Sequence, residues 1–313
     1  MTVFEVKVSV IIPCYNDALT LARAIDSVIN QTYSNIEIVV VNDCSPQTDL
    51  IEKCLSKYPQ VRYLRNPENV GLAATRNNGL AIAKGELVAF LDADDEYLPD
   101  KIKLQVEVLN ENTVVTCGLV NIYTNGRRTS KLKAVRIFNN PSLLIYRNTL
   151  NGAGLLGQKH LLLQHGGYDV TLKSCEDYDL WLRLLSAGVT VKDIGQPLYL
   201  YYFNPVGLSK NANEISRWEL ETIKRHSVRM GFAWQGSYSY ASAILFRLCC
   251  HLFRGELVKN EMLRLQTIAN MVLLDRFPFV QAFCRLIAYS RLMFILALIL
   301  RFKNKLVSKL ISY

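Results

Sequence analysis

Glu86-Leu-Val-Ala-Phe-Leu-Asp-Ala-Asp-Asp95 is the stretch that decides the fold. An apolar run, Leu87 to Leu91, ends in three carboxylates: Asp92, Asp94 and Asp95. Neighbouring carboxylates repel and raise one another's pKa. A hard divalent cation, Mn²⁺ or Mg²⁺, relieves that repulsion and prefers carboxylate oxygens, usually sharing them with substrate phosphates. A solvated acidic turn before a helix has the same local sequence, so the surrounding signals must choose between the two.

Upstream, strand and helix patterns alternate. Val6–Pro13 is a nearly continuous β-branched run, as for a strand buried on both faces. Asn16 or Asp17 can cap a helix with Leu21, Ile25, Val28 and Ile29 on its apolar face. Ile36–Val41 reads as a second buried strand, and Leu50, Ile51, Cys54, Leu55 and Tyr58 mark a helix. Val61–Leu64 is a short strand, followed by a helix through Leu72, Arg76, Leu80 and Ala83 that Gly85 ends. This is βαβ spacing, so the expected class is α/β with a mostly parallel central sheet flanked by helices. Ligands in such sheets bind beyond the carboxyl ends of the strands. Here those ends are Pro13-Cys-Tyr-Asn16, Asn42-Asp43 and Asp92-Ala-Asp-Asp95, which converge on one polar, acidic crevice suited to a metal-bound diphosphate. After Asp100 the alternation loosens. Thr113–Cys117 and Val120–Tyr123 read as two strands, Asn125-Gly126 as a hairpin turn, and Glu176–Ala187 as a helix with Trp181 packed in the core.

Six motifs follow one another: Val8-Ser-Val-Ile-Ile-Pro-Cys-Tyr-Asn16, Val39-Val-Val-Asn-Asp-Cys-Ser45, Asn69-Val-Gly-Leu-Ala-Ala-Thr-Arg-Asn-Asn-Gly79, the D-x-D segment, Gly166-Gly-Tyr-Asp169 and Glu176-Asp-Tyr-Asp-Leu-Trp-Leu-Arg183. In this order and spacing residues 6–210 resemble the family 2 glycosyltransferases, inverting enzymes with the GT-A fold. The resemblance implies a nucleotide-sugar donor, most naturally UDP-linked, and a hydroxyl acceptor on a surface or lipid-linked glycan. It places Pro13, Tyr15 and Asp43 at the nucleobase and Arg76 facing the nucleotide. Asp92 falls near the ribose and metal-bound water, and Asp94 on the metal. Asp177 matches the general base, with Glu176 orienting the acceptor. Local sequence alone reads Asp43 equally as an Asx-turn, and Glu176-Asp177 equally as acidic residues favoured at a helix N-terminus. Where relatives carry Arg and His, this chain reads Tyr201-Tyr-Phe-Asn204, so Asn204 becomes the candidate for a third metal ligand.

The +9 charge is unevenly placed. Residues 1–210 carry 21 Lys+Arg and 21 Asp+Glu, so the whole excess lies in 211–313, and no acidic residue follows Asp275. The expected organisation is a nucleotide-sugar-binding domain, 1–210, and a basic, apolar helical extension, 211–313. Leu292–Leu300 is too short to span a bilayer. Val280–Phe302 has the composition of an interfacial helix on anionic lipid. A helical packing or dimer element is the competing reading. The eight cysteines show no C-x-x-C and read as reduced thiols. With no signal peptide evident at the start, the expectation is a cytoplasmic enzyme at the inner face of the membrane, with no nucleic-acid partner. Sugar transfer to a polyprenyl phosphate, and a silent scaffold in a polysaccharide assembly complex, are the alternative functions.

Overall fold

A computed structural model describes residues 6–123, 127–131, 144, 148, 150, 152–204 and 212–229. The chain divides into two compact units, residues 1–139 with 149–205, and residues 140–148 with 206–313. The expectations for Asn125-Gly126 and for Val280–Phe302 lie outside the described residues. Within the second unit, a helix Ala212–Arg229 is described, with Arg225 paired to Glu221 one turn back at 2.9 Å. Among the described residues no helix is long and apolar enough to cross a membrane.

The first unit is built on a mixed sheet with helices packed against it. Strands β1 (Val8–Cys14), β2 (Ile36–Asn42), β3 (Arg62–Arg65) and β4 (Leu87–Phe90) are parallel, in the order β3-β2-β1-β4. β1 is buried along its whole length, as its β-branched run requires. It pairs with β2 from Val8↔Ile36 to Cys14↔Asn42, but with β4 only from Val8↔Leu87 to Ile11↔Phe90. Pro13 therefore puts its missing N–H where β4 has already ended, which is how a central strand accommodates proline.

The helices between these strands are α1 (Leu21–Ile29), α2 (Thr48–Leu55) and α3 (Leu72–Ile82). On α1, Leu21, Ala24, Ile25 and Val28 are buried, three and four residues apart. α3 lies tightly on the sheet. A Cβ at Gly79 would stand 2.4 Å from Ile11 Cγ2, so only glycine allows that approach. α3 stops at Ile82, with Ala83 already extended, rather than at Gly85. Gly85 serves the sheet instead, because a Cβ there would fall 2.6 Å from the Ser9 nitrogen.

The second half adds antiparallel pairs. β8 (Leu156–Gln158) lies between β4 and β6 (Thr113–Ile122), antiparallel to both. β6 runs parallel to β9 (Thr190–Tyr202), which carries β5 (Glu96–Tyr97) at its edge, and β7 (Arg128–Lys131) pairs with β6. The two strands read from sequence at 113–123 are one strand, irregular between Thr116 and Leu119, where Gly118 interrupts the apolar pattern. The remaining described helices of this unit are α4 (Lys101–Val108), α5 (Lys159–Gln164) and α6 (Glu176–Ser186). Trp181 of α6 is buried as expected, and Cys14 and Cys117 are buried free thiols.

Candidate active site

β1, β2 and β4 run parallel as neighbours, so their carboxyl ends lie together at one end of the sheet, where Asp17, Asp92 and Asp94 are close enough to feel one another's charge. The loops after β1 and β2, and the turn that opens α6, bend sharply. Asn16 (φ 64°), Cys44 (φ 52°) and Cys175 (φ 64°) adopt left-handed backbone without being glycine. Such strain persists only where the surroundings enforce it, and it clusters at functional sites.

Asp17 does not cap α1 with its side chain. Asn16 turns the chain, the helix starts only at Leu21, and it is the Asp17 carbonyl that accepts from the Thr20 and Leu21 amides. The carboxyl is left in the crevice. Burial first, then the charge of Asp94, push it up to about 6. Burial and then Asp92 raise Asp94 as well, while Arg23 and a hydrogen bond with the Asn204 side chain pull it back down. Asn204 is thus a partner of the Asp94 carboxylate. Asp95 is fully buried. Its oxygens accept from Tyr199 Oη at 2.7 Å and from the Tyr202 amide at 2.8 Å, and burial pushes it up to about 8. Its role is to tie the D-x-D turn to β9.

Arg76 is buried and bridges two motifs. One Nη donates to Asp92 Oδ1 at 2.9 Å, and the other to Glu176 Oε1 at 2.6 Å. Its guanidinium also lies 5.3 Å from the Tyr168 ring centroid. The end of β4 and the start of α6 are therefore held together by one cation. Family resemblance had Arg76 facing the nucleotide; in the structure its Nη groups are engaged by protein carboxylates. Tyr168 is placed by Asn77, which accepts from its amide at 2.9 Å and donates to its carbonyl at 2.7 Å. That exchange accounts for Gly167: a Cβ there would stand 2.6 Å from Asn77 Oδ1.

Asp43 is buried at the end of β2. Oδ1 accepts from Asn66 Nδ2 at 2.8 Å and the Val70 amide at 2.9 Å, and Oδ2 accepts from the Gly71 amide at 2.9 Å. The carboxylate thus anchors the loop that launches α3, and with it Arg76. Pro13 is buried in β1, and Tyr15 is 43% exposed beside it. Asp177 Oδ1 accepts from the Tyr178 amide at 2.7 Å.

The sequence reading missed Arg23. Its guanidinium lies 3.7 Å over the Tyr202 ring, pairs with Glu96 at 3.0 Å, and donates to the Asp94 carbonyl. No motif carries this signal, since Arg23 sits on the polar side of α1. Among the described residues no group of three or more His, Cys, Asp or Glu side chains is arranged to enclose a metal ion.

The model for "Glycosyl transferase family 2" matches residues 9–162. The UDP-Glc:alpha-D-GlcNAc-diphosphoundecaprenol beta-1,3-glucosyltransferase WfaP of Escherichia coli is 30% identical over 190 residues, 59% of this chain and 73% of that protein. This chain belongs to glycosyltransferase family 2. An uncharacterized glycosyltransferase of Haemophilus influenzae is 29% identical to this family 2 member over 71% of the chain and 77% of its own length. Another, of Rickettsia bellii, is 34% identical, but the chain covers only 28% of it. Several of the curated relatives are thus about three times the length matched. The crystal structure of Staphylococcus aureus TarS 1–349 superposes with TM-score 0.64 at 19% identity, covering 90% of this chain and 89% of that one. The glycosyltransferase therefore has the GT-A fold, with the mixed sheet described above.

Proposed function

We propose that this glycosyltransferase is an inverting, metal-dependent enzyme. It moves a sugar from a UDP-linked donor to a hydroxyl of a surface glycan carried on a lipid. The observation that carries the reading is the Arg76 bridge, which sets the Glu176-Asp177 start of α6 against the Asp92 end of β4. Direct displacement needs a base and a leaving-group site held in fixed relation, one on either side of the anomeric carbon. The relative WfaP, whose name specifies a UDP-Glc donor and a diphosphoundecaprenol-linked acceptor, supports both substrate classes. A TarS structure in complex with UDP-GlcNAc, TM-score 0.66, supports the UDP donor further.

In this reading Asp177 takes the proton of the acceptor hydroxyl. The acceptor oxygen bonds to the anomeric carbon from one face. The bond from that carbon to the diphosphate oxygen breaks on the other, so configuration inverts and UDP leaves with the electron pair. Glu176, held by Arg76, orients the acceptor. Tyr15 and Pro13 flank the base, and Asp43 keeps the loop before α3 in place. Burial, and then the charges of Asp94 and Asp92, raise Asp17 and Asp94, and such a crowding of carboxylates fits a cation. Mn²⁺ or Mg²⁺, held by Asp94 with Asp92 beside it, would supply Lewis-acid neutralisation of the departing diphosphate. Asn204 contributes by holding Asp94.

The test is UDP release from a panel of UDP-sugars with Mn²⁺, with Mg²⁺ and with EDTA. One donor is expected to be turned over, with loss of at least about 100-fold in EDTA and in Asp94→Ala. Undiminished release in EDTA would overturn the metal requirement.

The proposed location is the inner face of the cell membrane, with residues 211–313 on anionic lipid. The uneven placement of the +9 charge supports this. The full chain is expected to sediment with phosphatidylglycerol vesicles and to be released by high salt. Sedimentation equal to that with phosphatidylcholine vesicles would remove the idea.

A further inference from the structure

The proposed reaction leaves one fully buried cation without a task. Lys101 opens α4 and has no exposed surface. Among the described residues no carboxylate pairs with it. Its Nζ lies 3.9 Å over the Tyr97 ring and donates to Gln105 Oε1 at 2.7 Å, and burial lowers its pKa to about 8. Burying an unpaired ammonium is unfavourable, so the hydrogen bond it makes beside the Tyr97 ring must matter.

That contact fixes an amide. An ammonium only donates, so Gln105 must present its oxygen to Lys101 and its nitrogen to the other side. Gln105 Nε2 there donates to the Gly154 carbonyl at 2.7 Å and the Val115 carbonyl at 3.1 Å. Gly154 closes the short 3₁₀ turn Gly152–Gly154. At the other end of that turn, Gly152 lies against the base. A Cβ on Gly152 would stand 2.3 Å from Asp177 Oδ2, 2.6 Å from its Cβ and 2.8 Å from its Cγ. The clash reaches the root of the Asp177 side chain, so rotation of the carboxylate alone does not relieve it.

We propose that Gly152, backed by the buried Lys101–Gln105 pair, is a positioning residue that sets where the Asp177 carboxylate points. The bare backbone of the turn is the wall against which the base is registered, and the buried amide holds that wall still. This rests on the reading of Asp177 as base. Lys101 and Gln105 act only through the turn and touch no substrate.

The experiment compares wild type, Gly152→Ala, Gln105→Met, Asp177→Gly and the Gly152→Ala/Asp177→Gly double variant, since only glycine at 177 removes every atom the added Cβ would meet. It measures UDP release from the turned-over UDP-sugar, UDP affinity with Mn²⁺, and thermal midpoint. Gly152→Ala is expected to lower kcat by about 100-fold, with UDP affinity unchanged, and Gln105→Met by about 10-fold. In the Asp177→Gly background Gly152→Ala should lower neither rate nor midpoint by as much as in wild type. Wild-type kcat in Gly152→Ala, or the same fall in midpoint in both backgrounds, would overturn the proposal. Should wild type release no UDP, the midpoint coupling decides alone. Full release in Asp177→Gly would instead sink the base assignment, whatever the coupling shows.

Discussion

Asp177→Asn is expected to lower turnover of the donor by about 10²–10⁴-fold, the range a positioned general base supplies. The amide matches the carboxylate in shape. It can still accept from the Tyr178 amide, as Asp177 Oδ1 does at 2.7 Å, and it adds no heavy atom against Gly152. What it loses is the ability to take a proton. UDP affinity and thermal midpoint should therefore stay near wild type while kcat falls. Initial rates of UDP release, with calorimetric binding of UDP in Mn²⁺, separate the two effects. A variant with full turnover would take the proton elsewhere, and the base assignment would be withdrawn.

Arg76→Met should be the most damaging single change to the framework of the site. It removes one cation from between two carboxylates, and Glu176 is nearly as buried as Arg76 itself. Breaking a buried ion pair from one side typically costs about 3–5 kcal/mol, because the other charge is left unpaired. Asp92 is about a third exposed, so water offsets much of its share and the lower end is expected. The start of α6 then loses its tie to β4, so turnover should fall along with stability. Arg76→Lys keeps the charge, but a single ammonium cannot present two separate Nη groups to carboxylates on opposite sides. It is expected to recover stability better than turnover. Urea midpoints and UDP release for both variants check this. An Arg76→Met protein with wild-type midpoint would show that the bridge does not hold α6.

The parallel half of the sheet was legible because burial on both faces leaves a direct trace. Val10–Cys14 and Ile38–Val41 are unbroken apolar runs, and their strands each have a neighbour on either side along most of their length. The antiparallel insertion of β8 left no such trace. Three residues, Leu156–Gln158, are too few to show a period. The start of α1 was misjudged because Asn16 enters the left-handed region, and nothing local distinguishes that turn from a helix cap.

The sequence by itself determined the α/β class, the family, and which strand ends meet: the motifs are local, and the crevice follows from strand order. Only the tertiary structure decided what each charged group does there. Arg76 and Glu176 are 100 positions apart, yet they share a hydrogen bond of 2.6 Å. Arg23 reaches the Asp94 carbonyl from another helix, and Gly152 matters only because Asp177 lies against it. Periodicity reports which face of an element is buried. It carries no information about which distant side chain meets that face, and in a crevice crowded with carboxylates that pairing sets the chemistry.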